Sequence, residues 1–293
     1  FKHVFHDITF MQIARGVVAY NALQKIVKPE WSHAGAVKRL ISPEGDPREI
    51  PQPGREQLAL WLRYMEISAC CYGMPYQCVL GVVPYTQYHW SSEAILTSRT
   101  FVKKENIIHA KWEADGYASP GFLVLEDVEN QTLLMVLAGT KDTSDWMTDL
   151  RCAHVVLPEE FRRDTDEVIG VHAGIWAAAL NVDEQSREIV QKAREEHPGW
   201  KLLLCGHSLG AGTSAMLGFR WKKLNVFPDL HVISYAGPPL FSSLDFIEQT
   251  KSYITTLEIS DDFVSRWCMG SCVDGVHAGY ALEKGGVTFP RAS

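Results

Sequence analysis

Apolar and polar positions change period several times along this chain, and each change marks an element. Leu133-Leu134-Met135-Val136-Leu137-Ala138 is an unbroken apolar run, as expected of a strand buried on both faces. It predicts a strand over 132–138. Shorter apolar runs predict strands over 107–112, 122–128, 200–204, 230–235 and 252–259, with a hairpin turn over 128–131. Helical spacing appears elsewhere. Ile8, Met11, Ile13, Val17, Val18, Leu23 and Ile26 predict a helix over 8–28, either a lipid-surface helix or one packed on the core. Leu58, Leu62, Met65 and Ala69 line one face of a helix over 55–71. Two helices are predicted over 169–181 and 183–197, the second capped by Asp183 and stopped by His197-Pro198-Gly199. A further helical run follows over 213–219. Prolines and glycines mark 41–55 as a loop. Residues 75–100 read as irregular, with Tyr76, Tyr85, Tyr88 and Trp90 forming either an apolar-ligand or partner surface or core beneath a long loop. Strands alternating with helices at this spacing predict the α/β class, with a mostly parallel central sheet and right-handed crossovers.

Composition narrows the classes. The 293 residues are 46% apolar and 22% charged, enough for one large domain with a substantial core. The reading is a single domain over 1–293, in which 1–100 form an N-terminal helical and loop extension. A net charge of −7 with no basic stripe argues against a nucleic-acid partner. No apolar run approaches the ~18 residues of a membrane span. The seven cysteines are odd in number and lack zinc spacing, which favours a reducing compartment, although a Cys268–Cys272 disulfide stays open. Cys205 reads as a buried apolar thiol. The sequence starts at Phe1 rather than Met, which leaves room for a signal or anchor ahead of it.

Candidate chemistry centres on Cys205-Gly206-His207-Ser208-Leu209-Gly210-Ala211-Gly212, set between an apolar run and a helical one. Strand, sharp turn and helix around Gly-x-Ser-x-Gly is the context of a nucleophile elbow. The turn forces the serine into strained backbone angles and demands residues without side chains beside it, here Gly206 and Gly210. The helix behind it points its N-terminal amides at developing negative charge. A serine nucleophile needs a base, and the base an orienting carboxylate, in the chain order Ser, Asp or Glu, His. Asp261 and Asp262 follow the strand over 252–259, and His277 is the one histidine after them. His172 and His207 read as hydrogen-bonded structural histidines, His207 facing away from the hydroxyl.

Several segments in order extend this pattern. Gly206-His207-Ser208-Leu209-Gly210-Ala211, Gly139-Thr140 before Asp145-Trp146-Met147-Thr148-Asp149-Leu150, Val171-His172-Ala173-Gly174-Ile175, Tyr235-Ala236-Gly237-Pro238-Pro239 and Asp262-Phe263-Val264-Ser265-Arg266 together resemble the class 3 lipase family. The Pro-Pro and Asp-x-Val forms are similar to its sn-1 diacylglycerol lipase branch. The resemblance runs from about 107 to 266, roughly half the chain. It implies an α/β-hydrolase fold with N-terminal helices and a lid, and a serine hydrolase cleaving acylglycerol esters, di- or monoacylglycerol, without metal or cofactor. The alternative is a hydrolase-like fold with weak or no catalysis, serving as a binding or signalling scaffold.

The resemblance also assigns roles. It selects Asp262 over Asp261 as the acid and implies Thr140 and Leu209 as oxyanion-hole donors. It places a lid over 141–165, with Trp146, Met147 and Leu150 as its apolar face or as residues of an inward-packed surface helix. Ala138 stands where the family usually has Arg, and Ser265 where it has Pro. His277 follows Asp262 by 277 − 262 = 15 residues, closer than in the family, so the base is either His277 or a histidine beyond the sequence given. The partners implied are an acylglycerol substrate and a transient membrane or lipid-droplet surface. The location is cytoplasmic and peripheral to membranes, with secretion as the alternative.

Overall fold

The computed structural model describes residues 53–74, 76–79, 84, 86, 90–115, 118–139, 154–162, 168–242, 248–258, 262 and 264–266. The chain divides into two compact units, and nearly all described residues belong to Glu56–Trp267. The other unit, Phe1–Arg55 with Cys268–Ser293, consists almost wholly of residues outside that set. The helix expected over 8–28, Thr140, Trp146, Met147, Leu150, Tyr85, Tyr88, Asp261, His277 and the Cys268–Cys272 pair likewise lie outside the described residues.

A six-stranded sheet orders the described unit as β1-β2-β3-β6-β7-β8. Its strands are β1 (Ile107–Lys111), β2 (Phe122–Asp127), β3 (Thr132–Leu137), β6 (Lys201–His207), β7 (His231–Tyr235) and β8 (Ile254–Leu257). The first two pairings are antiparallel, with β2 and β3 joined by the expected hairpin. From β3 onward the pairings are parallel. β3 lies centrally and is buried at every position, as its unbroken apolar run requires. All six strands match predicted runs, with no end shifted by more than three residues.

Alternation along β2 and β3 sends side chains to two cores. Phe122, Val124, Leu133, Met135 and Leu137 face helices α4 (Ala173–Glu196) and α5 (Leu209–Lys223). Leu123, Leu125, Leu134, Val136 and Cys205 face α1 (Arg55–Cys70) and α3 (Ser92–Arg99). α1 turns a different face inward from the one its leucines suggested. Tyr64, Ile67 and Cys70 are buried, whereas Leu58 and Leu62 are exposed. Polar partners explain the rotation. Tyr64 Oη and Arg63 bond to the buried Asp127 carboxylate, each at 3.0 Å, and Arg63 also lies over the Phe101 ring.

Two further expectations are corrected. The stretch 75–100 is not irregular throughout. It holds α2 (Tyr76–Val79) and α3, the latter capped by Ser91, whose hydroxyl accepts from the Ala94 amide, and anchored by buried Ile95 and Leu96. A short ribbon, β4 (His154–Val156) with β5 (Gly170–His172), occupies the start of the expected helix over 169–181. Phe161, between β4 and β5, is buried against Trp176 and Phe219.

α4 itself is one 24-residue helix, not two. Asp183 does not cap a helix. It lies in the interior, 3% exposed, and accepts hydrogen bonds from Trp221 Nε1 at 2.6 Å, Arg187 Nε at 2.8 Å and Arg220 at 3.3 Å. Trp221 and Arg220 are on α5, so this carboxylate joins the two helices that flank the serine. Burial alone would raise its pKa, but the bonds from Arg187 and Trp221 and the Arg187 charge hold it below the ordinary carboxylate value. A carboxyl depressed on folding stabilises above its unfolded pKa of about 4 and loses that contribution as pH falls through the folded value. Asp183→Asn should therefore lower stability at neutral pH by about 3 kcal/mol, because Arg220 keeps a buried charge without its partner. It should also flatten the loss of stability between about pH 5 and pH 2. Urea unfolding across that range, compared with the wild type, reads both effects.

Candidate active site

Ser208 occupies the bend between β6 and α5 with φ 57° and ψ −124°. An L-residue in this region carries strain of about 1–3 kcal/mol and persists only where its surroundings enforce it. They do so here on three sides. The Ser208 amide donates to the Tyr235 carbonyl at 2.9 Å, and the Ser208 carbonyl accepts from the Ala211 and Gly212 amides at 3.0 and 3.2 Å. The buried Ser214 hydroxyl lies 2.9 Å from the Cys205 carbonyl oxygen and 2.8 Å from that of Gly210, tying the strand end to the first turn of the helix.

The two glycines set how close these pieces come. A β-carbon on Gly206 would sit 2.5 Å from the Gly210 carbonyl carbon and 2.8 Å from the Leu137 oxygen. One on Gly210 would fall on the Leu137 oxygen and 2.7 Å from the Ala138 carbonyl carbon. All of these are backbone atoms and cannot swing aside. The elbow is thus pressed against the end of β3, where Ala138 is buried and Gly139 leads to Thr140.

Leu209 is the first residue of α5, so its amide belongs to the helix turn that lacks carbonyl partners within the helix. The amides of that turn and the helix dipole favour negative charge beside the Ser208 hydroxyl. Asp262 follows β8, half-buried, and its Oδ1 accepts the Val264 amide at 2.8 Å, which fixes the carboxylate in its turn. Its charge is felt at the elbow. Burial lowers the pKa of His207, and Asp262 partly opposes that. The structure thus brings Ser208, Leu209 and Asp262 to the same end of the sheet, while Thr140, His277 and the lid residues lie outside the described set.

The two nearby histidines are engaged elsewhere. His172 caps α4, its Nδ1 accepting the Ile175 amide at 3.3 Å. The His207 Nδ1 lies 2.9 Å from the Tyr72 hydroxyl. Tyr72 belongs to no motif in the sequence. Its one local signal is its place after the helical run of α1 and before Gly73, which takes φ 68°. Cys205, behind the elbow, is fully buried, and burial pushes its thiol up to about 12, so it stays a neutral packing group.

Residues 134–270 match the family described as lipase (class 3). That match covers 137 of the 293 residues, a little under half of the chain. The chain is 25% identical to mouse diacylglycerol lipase-beta over 175 residues, 59% of this chain and 25% of that protein. It is 29% identical to human diacylglycerol lipase-alpha over 168 residues, 55% of this chain and 16% of that one. The match thus spans a quarter or less of these curated relatives. Among solved structures, lipase II from Rhizopus niveus superposes with a TM-score of 0.57 at 19% identity, covering 75% of this chain and 78% of that one. The lipase from Rhizopus microsporus var. chinensis gives 0.57 at 16% identity, covering 77% and 76%. The fold is the α/β-hydrolase fold expected from the motifs.

Two stability measurements test the strained bend. Ser208→Gly should be more stable than Ser208→Ala by about 1 kcal/mol, the reverse of the usual order, because glycine alone adopts these angles freely. Gly206→Ala should cost about 2–3 kcal/mol through backbone overlap. Thermal melts of the three variants decide both.

Proposed function

We propose that this chain is a serine hydrolase that cleaves the carboxylic ester bonds of acylglycerols, with di- or monoacylglycerol as the substrate class. The observation that carries the reading is the Ser208 backbone, held at φ 57° between a parallel strand and a helix N-terminus. Such strain has no use in packing and serves to present a hydroxyl. The family match and the names of the diacylglycerol lipase relatives support the ester class.

In this reading Ser208 Oγ attacks the ester carbonyl carbon while His277 accepts its proton, and Asp262 holds the imidazole and stabilises its charged form. The Leu209 amide with the amide and hydroxyl of Thr140 stabilises the oxyanion, each donor contributing roughly 3 kcal/mol. Collapse expels the alcohol, which takes the proton from His277. Water, activated by the same imidazole, then releases the fatty acid and frees Ser208. The substrate is met at a lipid surface, where Trp146, Met147 and Leu150 form the apolar face of a lid. The protein works as a peripheral one. No helix among the described residues is long and apolar enough to cross a membrane.

A fluorophosphonate probe should label the wild type once, at Ser208. Ser208→Ala should stay folded, lose the label and lose at least about 10³-fold in kcat on diacylglycerol. His277→Ala and Asp262→Asn should be impaired on the same substrate. A panel of mono-, di- and triacylglycerols with phospholipid and short-ester controls ranks the substrates. Full turnover by folded Ser208→Ala, or a folded wild type that neither labels nor hydrolyses any ester, overturns the proposal.

A further inference from the structure

Helix α1 and the turn after it lie outside the family match, which begins at residue 134, yet they reach the nucleophile elbow by three routes, one of them through Tyr235 of β7. The Ser68 hydroxyl is 3.5 Å from the Cys205 sulfur, three residues before the serine. The Trp61 carbonyl accepts the Tyr235 hydroxyl at 2.6 Å, and the Tyr235 carbonyl in turn accepts the Ser208 amide. The third contact is the most direct. The Tyr72 hydroxyl lies 2.9 Å from His207 Nδ1 and 3.3 Å from the His207 carbonyl oxygen, which belongs to the peptide that leads into Ser208.

The same hydroxyl also meets the other half of the site. A β-carbon on Gly139 would fall on it, and would lie 3.0 Å from the His207 carbonyl oxygen. Gly139 immediately precedes Thr140. One buried oxygen therefore stands at the junction of the strand end that leads to the oxyanion corner and the bend that carries the nucleophile. Its position is fixed from behind. Tyr64, Ile67 and Cys70 bury α1 on the sheet, Gln77 Nε2 donates to the Cys70 carbonyl at 2.6 Å, and Gly73 turns the chain at φ 68°.

We propose that Tyr72 is a positioning residue for the reaction at Ser208: through His207 and Gly139 its hydroxyl sets the distance between the nucleophile bend and the oxyanion corner. This rests on the hydrolase reading above. A phenyl ring would fill the same space, so the hydroxyl is what the packing does not require. A displacement of about 1 Å between nucleophile and oxyanion donors can cost on the order of 10²-fold in rate.

The test uses the full chain and normalises every rate to serines titrated with a fluorophosphonate. Tyr72→Phe should lower kcat per titrated serine about 10- to 100-fold, with KM changed less than about twofold. His207→Leu should do the same. His207→Asn, whose side-chain amide puts a polar atom where Nδ1 stood, should recover most of the rate. Combining Tyr72→Phe with His207→Leu should add little to either alone, since both remove one interaction. A loss of titratable serine with unchanged kcat per site would make the hydroxyl a stability element only and overturn the proposal, as would independent, multiplicative effects. Should Tyr72→Phe not fold, the contrast between His207→Leu and His207→Asn still decides: equal impairment of the two counts against it. Absence of labelling and turnover in the wild type would fail the hydrolase reading itself, a distinct outcome.

Discussion

The structure depends on the forced approach of three backbone segments. The end of β6, the first turn of α5 and the end of β3 come closer than any side chain would permit, and Gly206 and Gly210 are the residues that allow it. Everything that distinguishes the serine follows from this contact. It fixes the left-handed bend at Ser208 and lays the helix N-terminus beside it. Such compression is stable only because β3 is itself immobile, paired on both sides and buried along its whole length.

Around that contact the two layers of helices have different tasks. α4 and α5 lock to each other through the Asp183 carboxylate, a buried charge with three donors, so the helix behind the serine cannot roll. α1 lies on the opposite face, and it and the turn after it reach the elbow through Ser68, Trp61 and Tyr72. Among the described elements, the one farthest in sequence from the nucleophile thus sits directly against its strand.

Most of the sheet was legible from the sequence because each strand is a local apolar run and β2 and β3 are joined by a short local turn. The elbow was legible because its glycines and serine are contiguous. Helix faces were less so. Leu58 and Leu62 suggested the wrong inward face for α1, since the pairing of Arg63 and Tyr64 with Asp127, some sixty residues away, decides the rotation. Asp183 imitated a cap for the same reason: its donors, Arg220 and Trp221, come from another helix. Tyr72 could not be found by pattern, because what gives it a role is a hydroxyl meeting two strand ends that are distant in sequence. The ribbon of β4 and β5 was missed because each strand has only three residues, with β4 exposed along its length.

The central position of β3 has a consequence for how the molecule comes apart. Its amide hydrogens are shielded by neighbours on both edges and by apolar layers above and below, so they exchange with solvent only when the entire sheet opens. α1 presents Leu58 and Leu62 to water and is a lid on one face rather than a member of the sheet, so it belongs to a less protected layer. On warming, the backing of the elbow loosens before the strand it is pressed against, and the serine loses its alignment while the sheet still holds.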